Sequence, residues 1–100
     1  MDFDYNQSVQ NARETYHRYF YNIDWNHYDR EEDEYHILCI KGFRIYLNML
    51  YDIRQRGTNI LSDAEQVDLT RLIHNVSRGI DYEQSILNRI RQQQNSHRSN

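Results

Sequence analysis

Residues 35–53, "YHILCIKGFRIYLNMLYDI", decide the fold of this chain. Tyr35, Leu38, Cys39, Gly42, Phe43, Tyr46, Met49, Leu50 and Ile53 recur at steps of three and four, the spacing of one face of an α-helix. A second apolar row, Ile37, Ile40, Leu47 and Tyr51, leaves Lys41, Arg44, Asn48, Asp52 and Gln55 as a narrow polar seam. A helix this apolar has to be covered on two flanks. It is expected at the centre of the fold. Asp29 is expected to cap its start by accepting from the backbone near Glu32, and the acids Glu31 to Glu34 suit the positive end of its dipole. Arg54 and Arg56 suit its last turn, and Gly57 is expected to take the left-handed cap position.

Both flanks can be found in the sequence. Upstream, Tyr5, Val9, Ala12, Tyr16, Tyr19, Phe20 and Ile23 form one apolar stripe, which predicts a helix from about Asp4 to Tyr21. Downstream, Ser62 and Glu65 of "SDAE" form a capping box. It opens a stripe of Leu69, Leu72, Ile73, Val76, Ile80, Leu87 and Ile90. Gly79 divides this segment into two alternatives: one helix to about Gln93, or a break with Asp81 capping a short fourth helix. The whole chain contains no proline and three glycines, so little in it forces helices to stop or hairpins to turn. The expected architecture is an all-α antiparallel bundle of three long helices, a single domain over residues 1–93. Residues 94–100, which contain no apolar side chain, are expected to be a disordered polar tail. The excess apolar surface of the central helix also predicts a two-fold homodimer.

Charge and composition narrow the function. Residues 1–35 hold nine acids against three arginines, and residues 36–100 hold six acids against nine basic residues. The single cysteine, Cys39, excludes an internal disulfide. The start "MDFDYNQSVQ" does not resemble a signal peptide, and no apolar run approaches membrane-spanning length. A cytoplasmic protein without membrane contact is expected.

Catalytic and metal readings find little support. His17, His27, His36 and Cys39 are ligand types, but zinc sites use two close-spaced pairs and here there is one. Cys39 lies in an apolar stripe beside a run of acids, the opposite of the positive surroundings that activate a thiolate. The spacing of Arg30 and His36 resembles the arginine-and-histidine motif of the HEPN family of helical ribonucleases in two residues only. The intervening "EEDEY" would repel an RNA phosphate, so nothing is carried over from that family. No enzyme activity, cofactor or metal is expected.

The aromatic stretch "YHRYFYNIDWNHYDREEDEYH", residues 16–36, is left to explain. Tyr16, Tyr19, Phe20 and Tyr35 belong to core stripes. Tyr21, Trp25, His27 and Tyr28 do not; Trp25 can plug the end of the bundle or join a contact surface with its neighbours. Tyrosine and tryptophan beside acids make the composition that protein interfaces favour. The expected function is a protein-interaction module, of the type of small viral or phage accessory proteins that block a host factor. The expected contact residues are Tyr21, Trp25, His27, Tyr28, Asp29, Glu31 and Glu32. The alternative is a helical nucleic-acid binder using Lys41, Arg44, Arg71 and Arg78 on phosphates.

Overall fold

The computed structural model of the chain describes residues 3–98. Three helices, α1 (Tyr5–Tyr21), α2 (Asp33–Arg56) and α3 (Asp63–Arg98), make up the fold, with a one-turn 3-10 helix at Trp25–His27. Among the described residues there is no strand. As the double apolar face of its sequence requires, α2 lies in the middle and packs on both α1 and α3. The core joins Tyr5, Val9 and Ala12 of α1 to Tyr46, Leu50 and Ile53 of α2 and Leu69 and Ile73 of α3.

The ends of α1 follow from local chemistry. Asp4 caps its start, accepting from the Gln7 N–H at 3.1 Å. Tyr5 then reaches across to α3, its hydroxyl donating to the Asp68 carboxylate at 2.7 Å. Burial and this carboxylate push the Tyr5 phenol well above its ordinary range. The same bond, with Arg71, holds Asp68 below the usual carboxylate range.

The start of α2 differs from expectation. The Asp29 side chain accepts from the Glu31 N–H at 2.9 Å, and its carbonyl accepts from Glu32 N–H at 2.9 Å. A side chain that bonds two residues ahead makes a turn of its own and is no longer available to a helix. The helix therefore opens later, at Asp33, with Glu32 as a cap that makes no side-chain bond; Asp33 and Glu34 occupy its first turn.

The end of α2 corrects the reading of Gly57. The helix stops there as expected, but Gly57 has φ −86°, and Asn59, at φ 72°, is the left-handed residue. Gly57 is required for space instead: a Cβ would lie 2.6 Å from Leu61 Cγ and 2.9 Å from the Ile53 oxygen.

The capping box of α3 forms as read, with Ser62 N–H donating to Glu65 Oε1 at 2.9 Å and Glu65 N–H to Ser62 Oγ at 3.1 Å. No break occurs at Gly79, so there is no fourth helix among the described residues; α3 continues to Arg98. Residues 94–98 of the expected tail are thus helical, and residues 99 and 100 lie outside the described residues. At 1.5 Å per residue, the 36 residues of α3 span about 54 Å against about 36 Å for the 24 of α2. The overhang accounts for the elongated 61 × 24 × 16 Å envelope. In the second apolar row of α2, Ile40 is buried, Ile37 and Leu47 are half-buried, and Tyr51 remains 45% exposed. The single chain therefore covers most of the surface from which a dimer is expected.

Candidate interaction surface at the connection of α1 and α2

Local bonds of the connection decide where its aromatics point. Asp24 caps the 3-10 turn through the Asn26 N–H at 3.2 Å, and the Tyr28 N–H closes it on the Trp25 carbonyl at 3.1 Å. This turns the Trp25 indole inward. It stacks on Phe20 with centroids 5.7 Å apart and planes at 14°, and meets Tyr35 edge-on at 5.1 Å. Its Nε1–H donates to the Phe20 carbonyl at 3.0 Å, sharing that oxygen with the Ile23 N–H at 3.3 Å. Trp25 is thus the plug of the bundle's end. It belongs to a run of ring contacts from Tyr46 through Tyr16, Phe20, Trp25 and Tyr35 to His36.

The other expected contact residues separate around this plug. Tyr21 is 90% exposed, at the edge of an open hollow lined by Tyr16, His17, Phe20 and Trp25. Tyr28 is half-buried and borders a different hollow with Glu34, Ile37, Leu38 and Lys41. His27 lies 3.1 Å from Asp24, both well exposed. Asp29, Glu31 and Glu32 are exposed and line neither hollow. The expected surface is therefore one aromatic step at Tyr21 and one acidic edge, not a single patch.

The basic residues of the alternative reading are spread out. Lys41 and Arg44 are exposed on α2, and Arg71 and Arg78 on α3. Phe43 faces Gly79 across the interface, which sets Arg44 level with Arg78. Arg71 stands seven residues away, about 10 Å along the helix, and its guanidinium is bonded to Asp68 at 2.6 Å.

One constellation escaped the sequence reading. His36 is buried, with Nε2 2.7 Å from the Arg30 carbonyl oxygen and Nδ1 2.5 Å from Glu83 Oε2. The signal was present, since His36 precedes Cys39 and Phe43 by three and seven residues, and Glu83 sits between Ile80 and Leu87 on the stripe of α3. Two polar residues at apolar-stripe positions of neighbouring helices are candidates for a buried pair. Both ring nitrogens of His36 are thus engaged within the fold.

Burial pushes the Cys39 thiol up to about 11, with Glu83 adding to the shift. At pH 8 about one thiol in a thousand is then ionised, against roughly a quarter for an ordinary cysteine. Alkylation of Cys39 by iodoacetamide is accordingly expected to be at least a hundred times slower in the folded chain than in urea. A comparable rate in both would show that α2 is not covered as described. Among the described residues, no group of three or more His, Cys, Asp or Glu side chains is placed to hold a metal ion. No helix among them is long and apolar enough to cross a membrane. Neither a protein-family model, nor a curated protein, nor a solved structure matches this chain.

Proposed function

We propose that this protein is a non-enzymatic interaction module that holds a protein partner at the connection of α1 and α2, acting by occupancy. The observation that carries the reading is Tyr21: a large aromatic side chain left 90% exposed beside an apolar hollow. An exposed aromatic step next to a hollow is the shape in which interface anchors are found, because such rings bring large area at small entropic cost. Trp25, stacked on Phe20, lines the same hollow, and the exposed acids Asp24, Asp29, Glu31 and Glu32 form a separate edge on the same connection. The absence of chemistry in the reading rests on Cys39 and His36, the best nucleophile and base candidates, both of which are buried.

The test compares Tyr21→Ala with Tyr82→Ala, a substitution at a 65% exposed tyrosine on α3. Neither removes a buried contact, so both variants should melt like the wild type. Loss of an interface anchor costs about 2 kcal/mol or more, roughly a thirtyfold loss of affinity. Tyr21→Ala is expected to lose the partner to that degree while Tyr82→Ala retains it. Equal retention by the two variants would refute the surface.

A further inference from the structure

The geometry points to a site for a small aliphatic carboxylate where α2 turns into α3, at the other end of α2 from the connection that carries Tyr21. A hollow of about 370 Å³ opens there, and the proposed contact surface makes no use of it. Its floor is apolar. Leu69 is 1% exposed, Leu61 is half-buried, and Gly57 is buried and adds no side chain of its own.

The rim offers donors. The Arg54 guanidinium makes one bond in the fold, a long one of 3.4 Å from Nη2 to Thr70 Oγ1, so most of its N–H groups are open. Thr70 accepts in that bond and keeps its own hydrogen to donate. Asn59 adds a side-chain amide. Among the described residues no carboxylate lines the hollow, and Arg54 belongs to none of the ion pairs. Arg56 and Arg71, by contrast, are matched by Asp52 and Asp68. The frame that carries these groups is fixed. The Ile60 and Leu61 N–H groups both donate to the Gly57 carbonyl, at 2.9 and 3.0 Å, and Thr58 Oγ1 donates to the Arg54 carbonyl at 3.1 Å. Within this turn Asn59 takes φ 72°. Glycine would enter that region at no steric cost, but only a residue such as asparagine brings an amide to the rim as well.

One open guanidinium above an apolar floor selects the ligand. Its planar fork matches a carboxylate through two parallel bonds, and one positive charge balances one negative charge. A phosphate dianion would leave its second charge facing only a hydroxyl and an amide, and it has no apolar part for Leu61 and Leu69. An alcohol would cover the floor and leave the guanidinium without a counter-charge. A carboxylate on a short alkyl chain satisfies both halves, its head among Arg54, Thr70 and Asn59 and its chain on the leucines. Because Arg54 belongs to α2 and Leu69 and Thr70 to α3, the bound ligand bridges the two helices.

Hexanoate is the probe, titrated into the full chain while backbone amide resonances are followed by NMR. Saturable shifts are expected at Asn59, Leu61 and Thr70, with a dissociation constant of about 1 mM, the scale for a ligand of this size. Arg54→Gln keeps the shape of the rim and removes its charge, and binding is expected to weaken by at least about tenfold. Arg54 is exposed and outside the core, so the variant is expected to fold. Hexanol, the chain without the charge, and inorganic phosphate, the charge without the chain, are expected to leave these resonances in place. No saturable shift with hexanoate, or equal binding by Arg54→Gln, would overturn the site. Shifts by hexanol or phosphate as large as those by hexanoate would also overturn it, and that comparison needs the wild type alone. None of these readouts involves Tyr21 or a protein partner, so the site stands or falls independently of the contact surface.

Discussion

Leu50→Ala is expected to lower the free energy of unfolding by about 3–4 kcal/mol, the middle of the range for such truncations in well-packed cores. Leu50 has no exposed surface and sits on α2 in the core cluster shared with α1 and α3. Its neighbours in that cluster leave little freedom to collapse. Tyr5 is tied to Asp68 by its hydroxyl and Tyr46 is stacked on Tyr16, so the cavity would stay largely open. For a domain of this size such a loss corresponds to a fall in melting temperature of about 15–25 °C. Thermal melts followed by circular dichroism check this directly. A loss below about 1 kcal/mol would mean that α2 is not the shared centre of the bundle.

The second large effect contrasts two helical glycines. A Cβ at Gly42 would lie 2.5 Å from Phe20 Cζ and 2.8 Å from Tyr19 Cδ1. Phe20 cannot give way cheaply, because it is stacked on Trp25 and packed against Tyr16, Tyr19 and Phe43. Gly42→Val is therefore expected to cost about 3 kcal/mol, as overpacking outweighs the roughly 1 kcal/mol penalty that glycine itself carries in a helix. At Gly79 the nearest atoms would be those of the Phe43 ring, at 3.6 Å and beyond, ordinary contact distance. Gly79→Ala is expected to stabilise by about 0.5–1 kcal/mol. Urea titrations of the two variants should thus move in opposite directions; a stabilising Gly42→Val would place α1 further from α2 than described.

These glycines show what was legible in the sequence and what was not. The stripes placed Gly42 on the buried face of α2, since periodicity reports which face a residue occupies. They could not say that Phe20 presses on it, because ring positions depend on how two helices meet. Gly79 invited a break on propensity alone, a cost of about 1 kcal/mol that the apolar residues on both sides outweigh. Caps fared according to range. Ser62 and Glu65 bond within one turn and were readable, whereas Asp29 had two local partners to choose between and took the nearer N–H.

The candidate surface was legible in part for the same reason. Tyr21 was identified because it fits no stripe, and it is exposed. Trp25 fits no stripe either, yet its indole N–H finds the Phe20 carbonyl, a bond that composition cannot announce. The arginine face was drawn from spacing along α3, where Asp68 lies three residues from Arg71 and engages it. The pairing of His36 with Glu83 spans 47 residues and depended on the register of α2 against α3.

The central claim is that Tyr21, and not the basic residues, makes contact with another macromolecule. Its most direct test is capture from lysate of the native cell, with and without nuclease, using three immobilised baits: wild type, Tyr21→Ala and Arg78→Glu. The account predicts a discrete protein retained by wild type and Arg78→Glu and lost with Tyr21→Ala. Retention by Tyr21→Ala together with loss on Arg78→Glu, or material that disappears with nuclease, would contradict it and move the function to the arginines of α2 and α3.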